Sequence, residues 1–188
     1  ATHTVNQLLA LARAEGGSGA LAAQSCDLAR LTIEVVREAV PRAMDKALDL
    51  GYDGHQPGAP GVQLDGHPTL LKELIRNLVV NAIPYTPSSA EKPGVITARV
   101  LGDPFGHVVV LQVEDSGPGI SEGERELVFE PFYRVLGNEA DGSGLGLPIV
   151  REIARQHDAT VMHEEAHPGK KPSGSRFSVR FEVKRPRA

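Results

Sequence analysis

Two runs of closely spaced glycines, Asp115-Ser-Gly-Pro-Gly-Ile120 and Asp141-Gly-Ser-Gly-Leu-Gly-Leu147, constrain this chain more than any other feature. Seven of its 20 glycines fall between Gly117 and Gly146, so the excess is local. A collagen-like period is absent. With 188 residues, 40% hydrophobic and 23% charged, the chain can bury a core, and disorder of the whole is excluded. Glycines concentrated inside such a domain need a specific job: tight turns, or close approach of backbone to a ligand.

The segments around them alternate. Val5, Leu8, Leu9, Leu11 and Ala12 give residues 4–14 a helical rhythm, which Gly16, Gly17 and Gly19 stop as terminator and flexible joint. A helix is predicted from Asp27, a good N-cap, to about Val40, where Pro41 intervenes. Short strands are expected near Ala47–Tyr52 and Val62–Leu64. From His67 to Ile83, the three- and four-residue spacing of Leu71, Leu74, Ile75, Leu78, Val79 and Ala82 predicts a strong helix that Pro84 closes or frays. Strands follow at Val95–Leu101 and His107–Glu114, then a helix from Leu147 to Gln156, and strands at Thr160–His163 and Arg176–Val183. Interleaved helices and strands, with the last two strands consecutive, give an α/β class with a mixed sheet.

Three constellations could carry chemistry. Glu73, Asn77 and Asn81 stand at i, i+4 and i+8, on one stripe of a helix that is otherwise nearly apolar. The stripe is either a solvated polar face or a ligand-facing row. In the second case the carboxylate can handle a proton or water and the amide oxygens can hold a hard cation such as Mg²⁺. Next, Asp115 ends a strand. Its carboxylate can accept a hydrogen bond from the exocyclic amine of a planar base, with Gly117 and Gly119 letting the ring lie against the backbone. An ordinary Asx-capped turn would use the same residues. Third, Gly142, Gly144 and Gly146 open a helix, so backbone N–H groups and the helix dipole make a phosphate cradle there. Neither run completes GxGxxG, since Glu122 and Leu147 occupy the last glycine positions, and the Walker Lys-Ser/Thr is absent. Between the runs, Phe129-Glu-Pro-Phe-Tyr-Arg134 and Val135–Ala140 could cover a nucleotide as a lid.

Other features mainly exclude. A net charge of −4 argues against a dedicated nucleic-acid binder, and one cysteine, Cys26, suits a reducing compartment. No apolar run approaches the ~20 residues that span a bilayer. His163-Glu-Glu-Ala-His167 fits the zinc-protease pattern HExxH, but Ala159-Thr-Val-Met reads as strand and Pro168-Gly169 ends any helix, so zinc hydrolysis is not expected.

In order and at these spacings, the pieces resemble the ATP-binding domain of bacterial sensor histidine kinases, within the wider family of type II topoisomerase and mismatch-repair ATPases. LKELIRNLVVNAIPYTP resembles the asparagine box, VEDSGPGI the first glycine box, FEPFYR the phenylalanine box and GSGLGLPIV the second glycine box. The resemblance covers about 27–185, with 16–26 as linker and 1–15 similar to the end of a dimerisation-domain helix.

It implies a Bergerat-type fold, a two-layer sandwich of a mixed sheet covered by helices, with ATP between helix layer and lid. Asn81 would ligate Mg²⁺, Asn77 would lie beside the triphosphate, and Glu73 would be the polar, proton-handling member of the box. Tyr85 would adjoin phosphates or adenine. Asp115 would bind the adenine amine in a pocket shaped by Gly117, Gly119 and Ile120, while Arg134 and the loop Gly142, Ser143, Gly144, Leu145, Gly146 and Leu147 would adjoin lid and phosphates. The implied activity is protein-histidine kinase, with Mg-ATP as donor. The implied partners are a dimerisation and phosphoacceptor domain of the same protein, a response-regulator receiver domain, and a second subunit in the full-length homodimer. The implied place is a cytoplasmic, soluble part of an inner-membrane sensor. A protein-serine kinase of the anti-sigma-factor type and a non-catalytic nucleotide sensor are the alternatives. Two departures stand out. Pro84 occupies a position where many relatives carry Arg or Lys, and His3, followed by Thr-Val-Asn, does not open a phosphoacceptor motif, so self-phosphorylation is not expected.

Overall fold

The alternating burial of Val95–Gly102 (β4), Val108–Asp115 (β5) and Ser175–Glu182 (β7) explains the architecture. Their inward residues, Ile96, Ala98, Val100, Val109, Leu111, Val113, Phe177, Val179 and Phe181, form one continuous apolar face. A computed structural model describes residues 23–131, 133 and 146–183. These strands pair antiparallel, and Ala159–Glu165 (β6) closes one edge against β7. Asp49–Tyr52 (β2) adds the other edge, parallel to β4, so the sheet is mixed, in the order β2-β4-β5-β7-β6. Gln24–Asp27 (β1) and Gln63–Gly66 (β3) form a separate antiparallel pair.

Three helices cover the apolar face. Leu28–Asp45 (α1) lies over β2 and β4, Pro68–Tyr85 (α2) over β4 and β5, and Gly146–Gln156 (α3) over β6, with α2 packed between the other two. The result is the expected two-layer α/β sandwich. The opposite face of the sheet carries ion pairs, among them Arg176 with Glu114 at 2.7 Å and with Glu164 at 3.2 Å.

Asp27 caps α1 as expected, its Oδ1 accepting the Arg30 N–H at 2.9 Å. The helix does not stop at Val40. It runs through Pro41 to Asp45, because Ala39 and Ala43, both buried, hold the last turns against the core and offset the lost hydrogen bond. Pro84 likewise lies inside the last turn of α2, where buried Ala82 and Ile83 anchor it and Thr86 Oγ1 donates to the Ala82 carbonyl at 2.7 Å. The domain also begins earlier than expected. Gln24, Ser25 and Cys26, read above as linker, are strand, with Cys26 4% exposed. The helix expected at 4–14 and the glycine joint at 16–19 lie outside the described residues.

Candidate functional site

Helix α2 supplies the spine of the site. Asn77 is buried at 5% exposure, an unusual place for an amide, and its partners account for it. Its Nδ2 donates to the Glu73 carbonyl at 2.7 Å and to Glu73 Oε1 at 3.2 Å. The other end of the amide faces the start of α3: a Cβ placed on Gly146 would lie 3.3 Å from Asn77 Oδ1. Glu73 Oε2 in turn accepts from Arg76 Nη1 at 2.8 Å. Asn81, one turn further on, is half-buried and its side chain has no hydrogen bond among the described residues.

The second part sits where α2 ends against β5. Asp115 Oδ1 accepts the Gly117 N–H at 2.9 Å and the Ser175 N–H at 3.3 Å, which leaves Oδ2 without a partner among the described residues. Burial pushes the carboxyl up to about 6, further raised by Glu114, while the two N–H groups oppose the shift. Gly117 is buried, and a Cβ there would meet the Tyr85 carbonyl at 2.8 Å and Asp115 Oδ1 at 3.0 Å. Gly119 has φ +83°, and its Cβ would strike Ser173 Oγ at 2.6 Å. Both glycines are therefore required by space or by backbone, as a close-approach site demands. Ile120 and Tyr133 pack partly buried on the core beside this region, and Leu147 is 8% exposed.

Of the predicted residues, the structure brings Asn77, Glu73 and Gly146 together along the middle of α2, and Tyr85, Asp115, Gly117 and Gly119 at its C-terminal end. From Asn77 to Tyr85 is eight residues of helix, about 12 Å. Arg134, Gly142, Ser143, Gly144 and Leu145 lie outside the described residues, as does the lid segment 135–140. Sequence reasoning missed Gly174 and Ser175. Ser175 is registered opposite Asp115, and Gly174 has φ +68° with its N–H donated to the Gly117 carbonyl at 2.9 Å. The tight Ser173-Gly-Ser175 pattern was the available signal. The HExxH segment starts in β6, a strand as expected, so its two histidines do not share the helical face that pattern needs.

Residues 66–185 match the family of histidine kinase-, DNA gyrase B- and HSP90-like ATPases. The chain belongs to this ATPase family. The ATPase domain is 34% identical to the sensor protein kinase PmrB of Pseudomonas aeruginosa over 158 residues, 84% of this chain and 31% of that protein. It is 35% identical to the histidine-protein kinase/phosphatase MprB of a Mycobacterium species over 176 residues, 93% of this chain and 32% of that protein. The chain thus spans about a third of the curated relatives it matches. Among solved structures, the mycobacterial sensor histidine kinase MprB superposes with a TM-score of 0.72 at 25% identity, covering 87% of this chain and 99% of that one. The family binds ATP, and the donor set suits it. An unpartnered Asp115 Oδ2 beside backbone that tolerates no Cβ fits a flat base with an exocyclic amine. Amide oxygens beside a helix N-terminus fit phosphate and a hard cation. No helix among the described residues is long and apolar enough to cross a membrane.

Proposed function

We propose that this chain is the catalytic, ATP-binding part of a sensor histidine kinase, and that it supplies the γ-phosphoryl group of Mg-ATP to a phosphoacceptor histidine outside these residues. A response-regulator aspartate would then receive it. The observation that carries the reading is the double anchoring of α2. One helix sets an amide against the glycine-led start of α3 and, about 12 Å away, a backbone turn against Asp115, whose Oδ2 has no partner among the described residues.

Phosphoryl transfer asks the protein mainly for positioning and charge compensation. Asp115 Oδ2 accepts the adenine amine and so selects the base, while Gly117 and Gly119 keep the ring close to the backbone. Asn77 lies beside the phosphates, and N–H groups of the Gly142–Leu147 run would face their charge. Asn81 would hold Mg²⁺, which when bound neutralises charge on the phosphate oxygens. Glu73, at the far end of the row, is the group that can accept a proton from water or acceptor. Tyr85 and Ile120 would wall the base, and Arg134 would adjoin the phosphates.

The test is incubation of the chain with labelled ATP and a separately expressed dimerisation domain. Acid-labile phosphohistidine on that domain is expected. Acid-stable phosphoserine on a partner would instead establish the serine-kinase alternative, and nucleotide binding with no transfer would leave only a sensor module.

A further inference from the structure

The two oxygens of Asp115 differ in what they can still do. Oδ1 accepts the Gly117 N–H at 2.9 Å and the Ser175 N–H at 3.3 Å. Two donors occupy the lone pairs of that oxygen, so a proton on this carboxyl belongs on Oδ2. Oδ2 has no hydrogen-bond partner among the described residues and is the atom left to meet a ligand. One atom therefore carries the proton and faces the base. Burial pushes the carboxyl up to about 6, the two N–H groups oppose the shift, and Glu114 adds to it. Glu114, the preceding residue of β5, is itself held by Arg176 Nε at 2.9 Å and Arg99 Nη1 at 3.4 Å. The other elements around Asp115 bring no charge to it. Ile96 of β4 and Ser175 of β7 stand opposite, and the Tyr85 carbonyl of α2 and Ser173 flank the glycine turn.

We propose that Asp115 reads the purine through the proton on Oδ2: ionised, it accepts from the exocyclic amine of adenine, and protonated, it donates to the exocyclic oxygen of hypoxanthine or guanine. The choice between these two classes of purine nucleotide is then set by pH. The inference rests on the nucleotide-binding reading above and deepens it by naming the base that each protonation state takes. An exocyclic amine offers hydrogens and an exocyclic oxygen offers lone pairs, so each pairs with one form of the acid only. The carboxylate would set negative charge against the oxygen of hypoxanthine, whereas the neutral acid supplies the O–H that oxygen needs. By linkage, adenine draws the proton off Asp115 and a base with an exocyclic oxygen holds it on. The glycine turn keeps the pairing direct. A Cβ at Gly117 would meet the Tyr85 carbonyl at 2.8 Å and one at Gly119 would meet Ser173 Oγ at 2.6 Å, so only bare backbone lines this edge. In Asp115→Asn the same two N–H groups bind the amide oxygen and turn the amide nitrogen toward the base, a permanent copy of the protonated acid.

The test displaces a ribose-labelled fluorescent ATP analogue from the full chain with ATP and with inosine triphosphate, in Mg²⁺, at about pH 7.5 and about pH 5. The two competitors differ only in the base, so protonation of the triphosphate and any partial unfolding at acid pH cancel in the ratio of their affinities. For a carboxyl that titrates near 6, ATP should weaken about tenfold on acidification while inosine triphosphate tightens. The affinity ratio of ATP to inosine triphosphate should therefore fall by at least about tenfold, and any smaller change overturns the proposal. Asp115→Asn should show the low ratio at both pH values. A ratio in that variant that still moves with pH as in the parent overturns the proposal too, since the titrating group then lies elsewhere. If Asp115→Asn does not fold, the carboxyl-carbon NMR signal of Asp115 in the parent serves instead. Its titration should move to lower pH with adenosine diphosphate bound and to higher pH with inosine diphosphate bound, and a shift in the same direction with both overturns the proposal. If the parent binds neither nucleotide, the nucleotide reading falls and the proposal with it; if it binds ATP at pH 7.5, only the role of the proton is at stake.

Discussion

Gly117 donates its backbone N–H to Asp115 Oδ1 at 2.9 Å, two residues back along the chain, and so turns the other oxygen of that carboxylate away from its own loop. The price of this arrangement is a buried acid. Its folded-state value near 6 lies above the ordinary 3.8, so between about pH 4 and 6 the folded protein holds more proton than the unfolded one. Stability contributed by the neutral form is present below pH 4 and lost as pH rises through 6. Asp115→Asn removes that loss and should stabilise the ligand-free domain at pH 7 by on the order of 2 kcal/mol. It also puts N–H donors where the adenine amine needs an acceptor, and should weaken ATP binding at least about tenfold. Thermal melts across pH 4–8, paired with nucleotide titration, check both halves; tight binding by the variant would remove Asp115 from the base site.

The support behind Asp115 predicts a second outcome. Gly174 has φ +68°, and a Cβ there would lie 2.4 Å from the Asp115 carbonyl oxygen, a backbone atom that cannot swing aside. Gly169 has φ +80° but open space around it. Gly169→Ala should therefore cost only the left-handed penalty, about 1 kcal/mol. Gly174→Ala adds the clash and should cost roughly 3 kcal/mol or more while displacing Asp115. Urea unfolding of the two variants gives the comparison, and equal costs would show that the contact yields.

The contrast between these glycines marks what could be read in advance. The stripe Glu73, Asn77, Asn81 and the strands β4, β5 and β7 were legible because periodicity reports directly which side of an element is buried. Gly174 and Ser175 were not, because their role comes from the register that sets Ser175 opposite Asp115, a relation between positions 60 residues apart. The end of α1 was misjudged where a local rule, helix termination at proline, met burial of Ala43, and burial prevailed.

Two histidines set the acid side of stability. His157 Nε2 accepts the His67 N–H at 3.1 Å, and its Nδ1 pairs with the Ile153 carbonyl at 2.8 Å, an arrangement available only to the neutral ring. Burial lowers its pKa. Burial lowers His163 to about 4, with the Arg125 cation adding to the effect; its ring packs on Phe177 at 4.9 Å and neither nitrogen has a hydrogen-bond partner among the described residues. In both cases the unfolded chain takes up the proton first. The stability they contribute is present above pH 6.5 and lost as pH falls, for His163 down to about 4. His163→Leu should flatten the unfolding free energy between pH 6.5 and 4 by roughly 2–3 kcal/mol and raise it slightly at neutral pH. Chemical denaturation at pH 7.5, 5.5 and 4.5 measures this. An unchanged slope would mean that His163 is protonated in the fold.

The two helix-interior prolines allow a controlled test of the site's polarity. Pro41 lies in α1 and Pro84 in the last turn of α2, next to Tyr85, and each leaves one carbonyl of the preceding turn without its helical N–H. Near Pro84 the helix end is held by Lys46, whose Nζ donates to the Ile83 carbonyl at 3.0 Å. Replacing either proline by lysine restores an N–H and should stabilise its helix by about 1 kcal/mol. Only at position 84 does the new side chain start one helical turn from Asn81, so that its length can carry the ammonium toward the phosphates, where a contact is worth roughly 1 kcal/mol or more. Pro84→Lys should therefore raise ATP-analogue affinity about fivefold, with an effect that fades at high salt, while Pro41→Lys leaves affinity unchanged. Equal affinities for both variants and the parent would place the phosphates beyond the reach of a side chain at position 84.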